Sequence, residues 1–244
     1  MLAARLHPDG LRLEEIEVPI PHDGEVLVRV HAAAITRDEL EWPVDRLPAV
    51  VSYELSGVVA ETGEEVFALT PFDHDGVASE YAAVPASVLA RKPASLTHVE
   101  TAALPMGGLS AWQALFAHGK LQAGERVLVT GARGGVGHLA VQIARHAGAE
   151  VVEEEPADLV FDTTGAPLPS GSRIVTIAAE APGADYFVVE PSGKELAELA
   201  RLAEEGALRP AIDSTFPLAR VSEAFERVAA RGKRGKVVLD VAGA

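Results

Sequence analysis

The sequence predicts an α/β protein in which a small β-barrel or sandwich precedes a parallel sheet flanked by helices. Three observations carry that expectation. The first part of the chain alternates apolar and polar residues between closely spaced turns. From Ser95 onward the apolar residues fall at helical spacing instead. Arg126 to Gly148, RVLVTGARGGVGHLAVQIARHAG, then sets an apolar run, a glycine-rich turn and a helix in succession, the first unit of a dinucleotide-binding fold.

Leu11 to Val18 and Glu25 to Ala32 read as strands, separated by Pro19, Pro21, Asp23 and Gly24. Strand-like runs follow at Ser56–Glu61, Glu65–Leu69 and Ala78–Val84. Thr97, with Glu100 three residues on, has the pattern of a helix-capping box, and Leu109–Ala117 reads as a further helix. After the strand Val127–Val129, residues Val136, Leu139, Ala140, Ile143 and Ala144 mark one apolar helix face. Further strands are expected at Asp158–Asp162, Arg173–Ala178 and Tyr186–Glu190. Ser192 caps a helix running to about Glu205, a helix covers Val221–Ala230, and Lys236–Val241 is the last strand.

Composition limits the function. The 244 residues are 48% hydrophobic and 23% charged, ordinary values for a globular protein with a sizeable core. No apolar run approaches the roughly 20 residues of a membrane span, and no basic-then-apolar leader opens the sequence. The absence of cysteine excludes disulfides, thiolate zinc sites and a catalytic thiol. These features fit a cytoplasmic protein. A net charge of −15 disfavours nucleic acid and anionic membrane as partners and says nothing specific about a small-molecule substrate.

The glycine turn carries the chemistry. Gly131, Gly134, Gly135 and Gly137 allow a tight turn and close approach of a pyrophosphate, which Val136 and the following helix would meet with free N–H groups and a positive dipole end, although tight turns and close helix–strand packing use glycine too. The eight histidines show no close pair with metal-ligand spacing on one helix face, so they read as structural or surface residues and no metal site is expected.

Several segments together point to one family. VHAAAITRDELEW (30–42), SYELSGVVAE (52–61), GVASEYAAVP (76–85), AALPMGGLSAWQAL (102–115), the glycine turn, LVFDTTG (159–165) and RGKRGKVVLDV (231–241) occur in order along nearly the whole chain. The sequence resembles the zinc-independent medium-chain dehydrogenase/reductases, quinone oxidoreductase branch. The resemblance implies a GroES-like barrel catalytic domain at 1–98 and 215–244, and a Rossmann domain at 99–214. It also implies hydride transfer from NADPH or NADH to a quinone or α,β-unsaturated carbonyl. Tyr53 stands where zinc-dependent relatives carry a histidine before the glutamate.

Against the family pattern the Rossmann half is cut down. Only Glu155, Pro156 and Ala157 separate Glu150–Glu154 from Asp158–Asp162, whereas a parallel crossover usually takes about ten to twelve residues. Either the second strand is shortened and displaced, or the two segments do not both join the sheet in the family's way. TTGAPLPSGS (163–172) replaces a second crossover helix, which Pro167 and Pro169 disfavour, and AETGEEV (60–66) is a tightened hairpin. Glu153, Glu154 and Glu155 fall at the adenosine ribose position. There they repel a 2′-phosphate or accept hydrogen bonds from the diol of NADH, unless they form a solvated acidic turn. Two other readings follow from so reduced a half: a cofactor-free isomerase, cyclase or lyase on the same scaffold, or a non-catalytic binding protein.

By resemblance, Thr36 and Arg37 line the nicotinamide and substrate pocket, with Tyr53 offering a hydroxyl to substrate. Tyr53 reads equally as an aromatic between the domains, and Arg37 as a surface partner of Asp38 or Glu41. Ser110, near the start of its helix, touches nicotinamide or serves as a cap or buried hydroxyl. Asp162, Thr163 and Gly165 end a strand at the ligand-binding edge of the sheet. Lys236 has the reach to enter the cleft, although RGKRGK has the composition of a solvated basic turn. Glu54 reads as a buried carboxylate organising the barrel, paired with an arginine. The β-rich segment Tyr186–Glu190 is the expected homodimer edge.

Overall fold

The computed structural model describes residues 1–42, 46–154, 156–165, 167 and 173–243. In the first half β1 (Leu2–His7) and β2 (Gly10–Glu15) form a hairpin, which β4 (Ala49–Val50) extends on the β1 side. β3 (Glu25–Ile35) is the spine of the larger sheet. β7 (Tyr81–Pro85) pairs with its first five residues, and β15 (Lys236–Asp240) pairs with Ala32–Ile35. β5 (Glu54–Val59) lies along β3 and turns back through a tight connection into β6 (Glu65–Leu69), which pairs with β8 (Ala90–Arg91). That connection is the short hairpin expected at 60–66, closed by a hydrogen bond of 2.8 Å from Gly63 N–H to the Val59 carbonyl. β14 (Ile212–Pro217) runs parallel to β15, so two late strands complete the sheet that β3 begins.

Three helices join the two halves. α1 (His98–Ala102) opens with the expected Thr97–Glu100 capping box. α2 (Pro105–Trp112) begins earlier than expected, with Pro105 in its first turn, and continues as a wider π-turn over Gln113–His118. Gly107 and Gly108, which resemble helix breakers, are contact points instead. A Cβ on Gly107 would lie 2.7 Å from the Gly135 carbonyl oxygen, and one on Gly108 would lie 2.6 Å from Leu199 Cδ1. α4 (Gly193–Glu204), capped by Ser192 as expected, supplies Leu199. α5 (Val221–Ala229) packs instead beneath the barrel sheet through Ala224, Phe225 and Val228.

The second sheet is entirely parallel, with order β10 (Glu150–Val152), β9 (Arg126–Val129), β11 (Leu159–Asp162), β12 (Arg173–Thr176) and β13 (Asp185–Tyr186). α3 (Gly137–His146) connects β9 to β10. Both segments around the first shortening join this sheet in parallel, so the second strand is shortened but not displaced. β10 stops where Val152 faces Leu128, and β11 starts where Leu159 faces Val127. The return along the strand axis is therefore about one residue. Residues 153–158 reach up to ~20 Å, enough to cross two strand spacings of ~4.8 Å. Among the described residues no strand lies beyond β10, where the six-stranded arrangement has one. Of TTGAPLPSGS, residues 166 and 168–172 lie outside the described set.

The strand expected at Tyr186–Glu190 ends at Tyr186. Beyond it the Gln113 side chain takes both backbone groups of Glu190, donating to its carbonyl at 2.9 Å and accepting from its N–H at 3.0 Å. Tyr53, Phe67 and Leu69 from the barrel side share one core with Leu104, Leu109, Leu139, Phe161 and Leu199. Because Gly107 meets the glycine turn without slack, Gly107→Ala is expected to lower stability by about 1–3 kcal/mol, read from the denaturant midpoint.

Candidate active site

β9 is followed by a crossover to β10 on one side, and the chain then returns to β11 on the other. The gap above β9 and β11 is therefore the topological switch point, where open parallel sheets bind ligands. The glycine turn sits there. Gly131 adopts φ +66°, and a Cβ on it would meet Thr163 Oγ1 at 2.5 Å. A Cβ on Gly137, the first residue of α3, would lie 2.2 Å from the Gly131 carbonyl oxygen. Gly134 N–H closes the turn onto that same oxygen at 2.8 Å. The N–H groups of Gly135 and Val136 have no hydrogen-bond partner among the described residues. These are the donors expected of an anion cradle at a helix start.

His138 holds the cradle from behind. Its Nδ1 donates to the Gly134 carbonyl at 2.7 Å and its Nε2 accepts from Ala211 N–H at 2.9 Å. Accepting at Nε2 requires the neutral Nδ1–H ring, and burial correspondingly holds its pKa below the usual histidine range. Its position, one residue past the last glycine of the turn, was the only sequence signal for this role.

Thr163 and Gly165 are placed at the switch point as expected, but their polar groups are already engaged. Thr163 Oγ1 donates to the Thr130 carbonyl at 2.7 Å, and Gly165 N–H lies 3.2 Å from each Asp162 carboxylate oxygen. Asp162 also accepts from Thr130 Oγ1 at 2.6 Å and Thr176 Oγ1 at 2.9 Å. Burial opposes ionisation of Asp162, yet these hydrogen bonds outweigh it and hold the carboxyl below its usual range. Asp162 thereby ties together the ends of β9, β11 and β12.

On the barrel side the structure brings together Thr36, Glu54 and Lys236. Val237 pairs with Ile35 and Glu54 pairs with Ala34, so the ladder sets all three side chains at one level. Lys236 is 5% exposed and belongs to no solvated turn. It forms a close ion pair with fully buried Glu54, which thus pairs with a lysine rather than the expected arginine. Lys236 Nζ also donates to Thr36 Oγ1 at 3.0 Å, and Glu54 Oε2 accepts the Met106 N–H at 2.9 Å. Along its length Lys236 skirts the cradle, its Cδ 3.1 Å from where a Cβ on Gly135 would stand.

The remaining expected residues divide. Tyr53 is 6% exposed and packs against Phe72 and Trp42 with ring-centroid distances of 5.2 and 6.1 Å. Its hydroxyl has no hydrogen-bond partner among the described residues, and burial, with Glu39 and Asp75, raises its pKa. Arg37 is exposed and, among the described residues, forms no ion pair with Asp38 or Glu41. Near it Lys233 is lowered to about 8, by burial first and then by Lys236 and Arg37. Ser110 lies well inside α2 at 3% exposure, so it is a buried hydroxyl and not a cap.

Glu39 carries no local sequence signal for its role. Its carboxylate accepts Thr36 N–H at 3.0 Å and also the N–H of Ser52, which bends into a left-handed turn of φ +68°. Burial raises Glu39 to about 7, against the pull of those backbone donors.

The alcohol dehydrogenase GroES-like domain family matches residues 22–94, and the zinc-binding dehydrogenase family matches 140–239. A quinone oxidoreductase of Thermus thermophilus, solved also with NADPH, superimposes with a TM-score of 0.83 at 29% identity, over 99% of this chain and 100% of that one. This chain is a medium-chain dehydrogenase/reductase of the quinone oxidoreductase branch. A chloroplastic quinone oxidoreductase homologue of Spinacia oleracea is 27% identical, covering 95% of this chain and 94% of its own. That alignment runs over 312 positions against 244 residues, so the relative carries stretches that this chain lacks. An NADPH-dependent alkenal/one oxidoreductase of Arabidopsis thaliana is 29% identical over 95% of this chain and 76% of its own. The residues present do not fit the zinc that one family description implies. There is no cysteine, no group of three or more His, Asp or Glu among the described residues has a metal-holding arrangement, and the Glu54 carboxylate is occupied by an ammonium.

Glu39 gives the fold a measurable pH signature. Its folded pKa of about 7 lies above the ordinary 4.5, so its contribution to stability is complete below pH 4.5 and disappears as pH rises toward 7. Stability measured by denaturant titration across that window is expected to fall more steeply in the wild type than in Glu39→Gln.

Proposed function

We propose that this protein reduces quinones and α,β-unsaturated carbonyls with a nicotinamide cofactor and without zinc. The observation that carries the reading is the cradle at the switch point, where Gly135 and Val136 present N–H groups without a partner among the described residues, beside Lys236. Gly131, Gly134, Gly135, Val136 and Gly137 would hold the pyrophosphate, and the cofactor supplies hydride when bound. The activities named for the spinach and Arabidopsis relatives support the substrate class.

The cofactor choice follows from charge. Glu153 and Glu154 are exposed directly after β10, where the adenosine ribose lies in this fold. Two carboxylates there repel a 2′-phosphate and accept hydrogen bonds from a diol, so NADH is the preferred cofactor. Tyr53 would offer substrate a hydroxyl that has no partner among the described residues, while Phe72 and Trp42 fix its ring.

Isothermal titration tests this directly. NADH is expected to bind more tightly than NADPH, and Glu153→Lys with Glu154→Lys is expected to reverse the order. No heat with either nucleotide would refute the reading.

The parallel sheet ends at β13, with Tyr186 39% and Val188 59% exposed beside it. An apolar open edge of this kind favours pairing with a second copy. Light scattering at micromolar concentration is expected to give a dimer, which Val188→Lys would weaken; a wild-type monomer would exclude the pairing.

A further inference from the structure

One hydroxyl in the site has a proton supply behind it. Thr36 Oγ1 is fixed by the Lys236 ammonium at 3.0 Å, an ordinary charge-assisted bond. Its own hydrogen is poorly held. The available acceptors are Glu54 Oε1 at 3.4 Å, against ~2.7–2.8 Å for a normal O–H···O bond, and Met106 Sδ at 3.3 Å, a well-placed but weak thioether acceptor. Glu54 Oε1 is moreover the oxygen already engaged by Lys236. The Thr36 oxygen is thus pinned while its hydrogen, held only by a long contact and a weak sulfur acceptor, can turn to a stronger acceptor on a ligand. Thr36 is half-buried at the end of β3, whereas Lys236 and Glu54 behind it are closed off from solvent. Because Lys236 passes along Gly135 before ending on Thr36, the hydroxyl stands beside the nucleotide cradle.

The geometry points to Thr36 as the proton donor to the α-carbon of a reduced enone, with Lys236 as the proton reservoir. This inference rests on the reductase reading. Hydride delivered at the β-carbon, at the expense of a reduced nicotinamide, forms the first C–H bond and pushes the alkene electron pair into an enolate. The enolate α-carbon then takes the Thr36 hydroxyl proton and forms the second C–H bond, while a proton moves from Lys236 Nζ to Thr36 Oγ1. Lys236 is left as an amine beside Glu54. After product departs, water returns one proton through Thr36 to Lys236. Glu54 positions the ammonium, and because its buried carboxylate is uncompensated while Lys236 is an amine, that state is short-lived and the returning proton is drawn back to Nζ.

Quinones supply the contrast. Their reduction leaves an oxyanion, and oxygen takes a proton from water rapidly, whereas carbon needs a placed acid. The relay should therefore matter for enones far more than for quinones.

The test compares an alkyl vinyl ketone with a benzoquinone on wild type, Thr36→Val and Thr36→Ser. Thr36→Val is expected to lower the enone-to-quinone ratio of kcat by about 100-fold, the size of a lost general acid. A solvent isotope effect should appear on the enone alone, and Thr36→Ser should recover most of the ratio. A readout independent of turnover is 4-nitrophenolate, an enolate mimic, whose binding should weaken in Thr36→Val. Should Lys236→Met fail to fold because Glu54 is left unpaired, Lys236→Met with Glu54→Gln keeps the pair uncharged and should show the same selective loss. Equal losses for both substrates would overturn the relay and leave a structural role. Wild-type turnover of the quinone but not of the enone would overturn the relay while the reductase reading stands. Turnover of neither would end both.

Discussion

The Lys236 ammonium and the Glu54 carboxylate form the contact on which the rest of the arrangement depends, because neither charge is tolerable alone at its depth. Glu54 is fully buried and Lys236 nearly so. Separating such a pair costs about 3–5 kcal/mol, since the survivor is left uncompensated. The surrounding bonds make the pair directional. Thr36 shares the ammonium, and Met106 N–H takes the second carboxylate oxygen. One ion pair therefore fixes β3, β5, β15 and the start of α2 relative to one another. Through Gly107 and Gly135 it also fixes the barrel relative to the nucleotide cradle.

The shortened second sheet is tied together at its ligand-facing end by side-chain bonds. A short return replaces the usual crossover between β10 and β11, so no helix braces those strand ends from that connection. Asp162 ties strand ends together at the same face of the sheet. With Thr130, Thr176 and the Gly165 N–H directed at it, one carboxylate joins three strand ends at the switch point. A buried acid held by several donors stays ionised and acts as a rigid hub. The nucleotide face thus stays ordered although the flanking layer is reduced.

Local signals survived translation into structure, and distant pairings did not. The capping box at Thr97, the Ser192 cap, the glycine turn and the apolar face of α3 all depend on neighbours within a few residues, so the sequence displays them. For Lys236 the sequence allows both a reach into the cleft and a solvated RGKRGK turn, and nothing local decides between them because its partner stands 182 positions away. The same distance hid which cation Glu54 would find. The purpose of Gly107 and Gly108 is likewise visible only against Gly135 and Leu199. Tyr186–Glu190 has the composition of a strand, yet Gln113 intercepts its backbone, a competition no local pattern records. Glu39 drew no notice because its partners are backbone N–H groups, which every residue but proline carries.

The placement of β15 bears on how the chain is made. That strand lies between β14 and β3, so the barrel sheet has an open seam along Ala32–Ile35 until residues 236–240 arrive. During synthesis the rest of the barrel and the whole parallel sheet leave the ribosome before the seam can be filled. Throughout that interval Glu54 has no counterion, and a row of unpaired backbone groups is offered to any passing strand. The barrel is accordingly a structure that the nascent chain must wait to finish. A polypeptide released before β15 is made would keep that edge permanently open.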